Sequence, residues 1–224
     1  MENSKPAISR SLFAFSIFYG GMVCIAGVLG NKQVSLGPIS ALGPMVGVAP
    51  LAVEAGIFAF LFLVIVSSAV AELHGGHVAK RLVWIGFTPL LASVILSELV
   101  LSLPPAPDMA PDRAAAFALM MGSTPRIWMG GIVAYGISQT LNVTLFAWLK
   151  GREGAQLLWL RSAIASVLSQ VVDTLLFATI AFYGVFPIGA LLVGQMLVKV
   201  LLSALLVPPL VYLFVALGRK LDAD

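Results

Sequence analysis

Asp173 and Lys199 are ionisable side chains set deep inside long apolar runs, and each stands on a polar stripe. Within residues 162–183, Ser162, Ser166, Ser169, Gln170 and Asp173 recur at three- and four-residue spacing, which puts them on one helical face. Within residues 188–217, Gln195, Lys199 and Ser203 follow at four-residue steps. Residues 127–149 add Tyr135, Ser138, Gln139 and Asn142, and residues 56–73 add Ser67, Ser68 and Glu72. A carboxylate can accept two parallel N–H bonds from an amidine-like edge, while an amide or ammonium donates to a carbonyl oxygen. Such a set suits a planar nitrogenous solute, and a hydrocarbon would not need it. Tyr135, Phe177 and Phe182 are candidate stacking walls, against the plainer reading that they are core or lipid-facing rings.

A plainer reading exists for the polar residues too. Asp173 and Lys199 could form a structural ion pair, and the Ser, Gln and Asn side chains could be hydrogen-bond glue between helices. Against it, ionisable residues at membrane depth are costly next to lipid and mark functional sites by default. Here they coincide with amides at similar depth while four segments present polar faces, and the convergence carries the functional reading.

The elements that position these residues follow from composition. Of 224 residues, 60% are hydrophobic and 10% charged, whereas soluble domains run at about 45–50% and about 25%. The solvent is a bilayer, and a span needs about 20 mostly apolar residues. Apolar runs bounded by charge or Pro/Gly clusters predict six spans, 11–30, 56–73, 82–103, 127–149, 162–183 and 188–217, the last tilted or kinked at Pro208 and Pro209. The expected fold is an all-α six-helix membrane bundle forming one transmembrane domain over residues 1–224, with a Gly/Pro-rich loop between helices 1 and 2. The first run follows Lys5 and Arg10 like a secretory signal but is read as a retained helix.

Residues 39–53 are a seventh apolar stretch, carrying Gly43, Pro44, Gly47 and Pro50. With six spans, Lys5, Arg10, Lys80, Arg81, Lys150, Arg152, Arg161, Arg219 and Lys220 share the side of the N-terminus against Lys32, Arg113 and Arg126, nine to three. A seventh span would make the split six to six, so the positive-inside rule favours six spans, both termini cytoplasmic, and a re-entrant or interfacial loop at 39–53. Trp84, Trp128, Trp148 and Trp159 fall near proposed span ends, where indoles prefer the headgroup region. Between Pro104 and Arg126, a proline cluster precedes helix-compatible residues 112–121, predicting a short surface helix across an extracytoplasmic entrance.

Several functions are disfavoured. Cys24 is the sole cysteine, so neither an intrachain disulfide nor a thiol metal site can form. His and clustered carboxylates do not converge at membrane depth, and no metal or cofactor is expected. The net charge of +3 comes from residues flanking apolar segments and calls for no nucleic-acid partner. No phosphate-binding Gly-x-x-x-x-Gly-Lys-Ser/Thr loop is present, so energy must come from a gradient, a partner or trapping of the solute. An intramembrane hydrolase using Ser138 with Lys199 is the rival class, with His74 and His77 placed in a cytoplasmic loop beyond reach. A scaffold without solute traffic, and a solute-binding subunit docking on an energising complex through Ser16/Gly20 and Ala26/Gly30, are further alternatives, as is a homo-oligomer.

Specific residues carry a resemblance as well: Gly30-Asn31-Lys32, Glu72-Leu-His-Gly75 followed by Ala79-Lys80-Arg81, Ser138-Gln139 with Asn142 and Phe146, Arg161, Ser169-Gln170-Val-Val-Asp173-Thr174 with Phe177, Ala181-Phe182, and Lys199. In these the chain resembles the family of queuosine precursor transporters, also described as vitamin-uptake-like transporters, over most of its length. The resemblance implies import of 7-deazaguanine bases across the cell (inner) membrane for transfer-RNA modification. The candidate solute-binding set is then Asp173, Gln170, Lys199, Gln139, Asn142, Gln195, Tyr135, Glu72, Ser68 and Asn31. Ser68 and Asn142 stand where the family commonly has acids, and the 39–53 loop is longer than usual.

Overall fold

A computed structural model describes residues 8–35, 37–45, 47, 51–122, 125–153, 157–184 and 189–223. Among these, six helices are long and apolar enough to cross a membrane: Arg10–Gly30, Gly56–His74, Gly76–Ser102, Arg126–Gly151, Leu158–Phe182 and Leu192–Ala223. Helices suit the bilayer because each satisfies its own backbone N–H and C=O groups where no water is available. In chain order the elements are α1 (Arg10–Gly30), β1 (Gln33–Ser35), α2 (Leu42–Met45), β2 (Ala52–Glu54), α3 (Gly56–His74), α4 (Gly76–Ile85), α5 (Phe87–Ser102), α6 (Pro111–Met121), α7 (Pro125–Glu153), α8 (Leu158–Phe182) and α9 (Gly189–Ala223). A 3-10 turn, Gly37–Ile39, follows β1.

The third span differs instructively from expectation. The third span starts earlier than residue 82 and is made of two pieces, α4 and α5, divided at Gly86. Gly75, at φ 89°, makes the sharp turn between α3 and α4 in a conformation that favours glycine. His74 and His77 therefore lie on helices either side of that turn rather than in a loop. Residues 39–53 supply no crossing helix among those described; β1 and β2 pair antiparallel, Gln33 opposite Glu54 and Val34 opposite Val53. Ser40 and Leu51 lock the hairpin further, through Leu51 N–H to Ser40 O at 3.0 Å and Ser40 Oγ to Leu51 O at 2.5 Å. Leu51 and Val53 are buried, which presses the apolar side of the loop onto the bundle. The expected surface helix forms as α6, with Pro111 in its first turn, where a missing N–H costs nothing.

The core centres on α3, which is buried along most of its length from Ile57 to Ala71 and packs against α1, α7 and α9. The α1–α3 crossing is tight at Gly56: a side chain there would put Cβ 2.8 Å from the Ala26 carbonyl and 3.2 Å from the Gly30 Cα. The small pair Ala26/Gly30 thus serves a contact within the chain. The helix α9 runs through Pro208 and Pro209, which cannot donate to the carbonyls of Ala204 and Leu205. The polar stripes face inward, with Ser67, Ser68, Ser138, Gln139, Asn142, Ser162, Ser166, Ser169, Gln170, Asp173, Gln195, Lys199 and Ser203 all buried.

Candidate functional site

α8 and α9 pack side by side and bring Asp173 and Lys199 together. Lys199 Nζ lies 3.4 Å from Asp173 Oδ2, and Ser138 Oγ on α7 donates to Asp173 Oδ1 at 3.2 Å. The Asp173 and Lys199 side chains are 10% and 8% exposed, so each supplies the counter-charge the other needs away from bulk water. One helical turn along α9, Gln195 Nε2 donates to Glu54 Oε1 at 3.3 Å. The hairpin β1–β2 holds Glu54 in that position, for Ala55 N–H donates to the Lys32 carbonyl at 2.7 Å and closes the ladder beside it.

Asp173, Lys199 and Glu54 line a cavity of about 300 Å³, at the small end of the roughly 300 to 1,000 Å³ typical of small-molecule sites. Among the described residues, Asp173, Lys199 and Glu54 are its acidic and basic residues, and Phe60, Trp128, Tyr135, Phe177 and Phe182 supply aromatic surface. All three ring residues named from the sequence reach it. Phe177 and Phe182 meet edge to face at a centroid separation of 5.7 Å, a favourable arrangement for aromatic quadrupoles. Asn31 also lines the cavity, and its Nδ2 donates to the Met120 carbonyl at 2.7 Å, tying the end of α1 to the end of α6. The lining runs from the helix ends opposite the N-terminus, at Gly30, Gly56 and Ile127, down to Asp173 and Lys199.

Beyond that floor, toward the termini, the helices are closed by polar contacts. Asn142 Nδ2 donates to Ser67 Oγ at 3.3 Å and Ser68 Oγ at 3.2 Å, and Ser67 Oγ donates to Gln139 Oε1 at 3.4 Å. Ser68 and Asn142, the two positions where the resemblance leads to an expectation of acids, therefore touch. The Tyr135 hydroxyl donates to the Val83 carbonyl at 3.1 Å and lies 3.0 Å from the Tyr19 hydroxyl. One turn further along α3, Glu72 meets Lys150 at 3.1 Å and Arg161 at 3.3 Å. Arg161 is fully buried, with its guanidinium 5.2 Å from the Phe146 ring centroid, a cation–π placement.

Of the ten sequence candidates, Asp173, Lys199, Tyr135 and Asn31 line the cavity, and Gln195 reaches it through Glu54. Ser68, Gln139, Asn142, Gln170 and Glu72 lie in the closed region instead. Gln170 is fully buried, and among the described residues neither polar atom of its amide has a hydrogen-bond partner. Two residues escaped the sequence reading. Trp128 was grouped with the interfacial indoles but is only partly exposed, lines the cavity and donates to Glu98 Oε1 at 3.0 Å. Glu54 carried a usable signal, a carboxylate two residues ahead of an apolar span. The hydrolase rival loses its geometry: Lys199 pairs with Asp173, and Ser138 donates to that same carboxylate rather than to the amine. His74 Nε2 lies 2.8 Å from Ser11 Oγ, which donates to Asp222 Oδ2 at 2.7 Å, a knot joining α1, α3 and α9 near the termini and remote from Ser138.

Comparisons agree with this architecture. A family described as "Putative vitamin uptake transporter" matches residues 54–214. A protein of Bacillus subtilis (strain 168) named "Probable queuosine precursor transporter" is 30% identical over 141 residues, 61% of this chain. The match spans 61% of that relative's length. No solved structure matches the chain.

Proposed function

Since the chain belongs to the vitamin uptake transporter family, a multi-pass class of membrane transporters rather than enzymes, we propose that it imports 7-deazaguanine bases, the precursors of queuosine, across the cell (inner) membrane. The observation that carries this reading is the cavity itself, where the buried Asp173–Lys199 pair faces aromatic surface from Tyr135, Phe177 and Trp128. A carboxylate beside an ammonium offers acceptor and donor together, the complement of a purine-like edge that presents N–H groups next to a carbonyl. The aromatic walls suit the flat faces of such a ring. Similarity to a protein named as a queuosine precursor transporter supports the same solute class.

The basic asymmetry of nine to three supports a cytoplasmic side for both termini; in that orientation the cavity opens outward and the Glu72–Lys150–Arg161 cluster closes the inner side. Transport then requires the inner contacts to part while the outer lining closes, with the Asp173–Lys199 pair dividing between the edges of the bound solute. Expression in cells unable to make deazaguanines tests the reading. With the base supplied outside, queuosine should reappear in transfer RNA; its continued absence from cells holding folded protein in the membrane would overturn the assignment.

A further inference from the structure

Glu54 and Asp173 line the same cavity but are balanced differently. Asp173 has an ammonium within 3.4 Å. Glu54 has an amide, through Gln195 Nε2 at 3.3 Å, and among the described residues no Lys, Arg or His lies within ion-pair distance of it. Lys32 is its neighbour across the hairpin, yet the Lys32 side chain is exposed and makes no such pair. Among the described residues of the lining, Glu54, Asp173 and Lys199 are the acidic and basic ones, which gives the cavity an excess of one negative charge. Glu54 is half-buried near the outer helix ends of the cavity, and a carboxylate there without a counter-ion draws a cation to it.

Position says which cation. Gln195 and Lys199 are four residues apart on α9, so their Cβ atoms are about 5–6 Å apart on one helix face. The carboxylates of Glu54 and Asp173, each contacting one of them, therefore meet successive turns of α9 along the cavity. A fused bicyclic base whose edge is read at Asp173 and Lys199 would present a short substituent toward Glu54. The geometry points to Glu54 as a specificity determinant that selects a base carrying a protonated amine on a short arm over the same ring with a neutral substituent. This inference rests on the deazaguanine reading above and names the member of that class the cavity favours.

The test compares two probes on purified protein in lipid nanodiscs: a 7-deazaguanine bearing an aminomethyl group, cationic at neutral pH, and one bearing a nitrile. A charge-assisted hydrogen bond predicts that the wild type binds the amine at least about tenfold more tightly. In Glu54→Gln the ratio should fall toward one, and in Glu54→Asp the preference should persist. Equal affinity of the two probes for the wild type, or an unchanged ratio in Glu54→Gln, would overturn the inference while leaving the deazaguanine reading intact. If neither probe binds, that reading falls and this one with it. Should Glu54→Gln fail to fold, the wild-type ratio together with Glu54→Asp still decides.

Discussion

The Asp173–Lys199 pair separates a structural role from a solute-reading one, provided the variants are chosen to avoid a stranded charge. In Asp173→Asn the Lys199 ammonium, on a side chain 8% exposed, keeps no carboxylate partner. Removing one member of a buried pair typically costs about 3 to 5 kcal/mol. Both residues line the cavity, where water can reach them, so the lower end of about 3 kcal/mol applies. That remains a large part of a typical total stability of about 5 to 15 kcal/mol, and the single variant should lose folded yield as well as transport. Asp173→Asn combined with Lys199→Gln removes the stranded charge and retains neutral hydrogen-bonding groups at both positions. Monodisperse yield in detergent and equilibrium binding of the base are the readouts. Yield should recover in the double variant while binding stays weakened by about ten- to a hundredfold, because each hydrogen bond to a charged group contributes about 1.5 to 3 kcal/mol. A double variant that binds and transports like the wild type would show that the pair is structural glue, and the argument from convergent polar stripes would be wrong.

Further outcomes follow from the closed side, the topology and the helix crossing. Glu72→Gln leaves the fully buried Arg161 without its carboxylate and should destabilise the protein by about 3 kcal/mol or more, read as a lowered Tm, whereas an unchanged Tm would contradict the inner-cluster assignment. A reporter fused after Asp224 should be active only in its cytoplasmic form, and activity confined to the outside would refute the orientation. Gly56→Ala would drive Cβ into the Ala26 carbonyl at 2.8 Å and should cost about 1 to 3 kcal/mol, seen as reduced thermal stability with no loss in a control substitution at the open position Gly21.

The six-span bundle was legible because hydrocarbon solvent imposes a simple length and polarity rule, and because the distribution of Lys and Arg rejects a span at 39–53. The inward stripes were legible for the same reason, since a face carrying Ser166, Gln170 and Asp173 cannot be left against lipid. Periodicity gives the face of a helix but not which faces meet, at what depth, or with how much space between them. Gln170 and Asp173 share a stripe three residues apart, yet Asp173 lines a cavity and Gln170 is sealed in packing. Glu54 was missed because its role depends on a hairpin between β1 and β2 that folds the preceding loop onto α9, a tertiary event with no periodic signature. Ala26/Gly30 looked available for a partner helix, and only the position of Gly56 shows that the chain fills that contact itself.

Uptake into proteoliposomes containing the purified protein and nothing else tests the central claim most directly. A labelled 7-deazaguanine base should enter saturably, be competed by unlabelled deazaguanine and not by amino acids or nucleosides, and fail to enter with the Asp173→Asn, Lys199→Gln protein reconstituted to the same level. Uptake no greater than in protein-free vesicles under an imposed ion gradient and without one, or equal competition by unrelated solutes, would contradict the account.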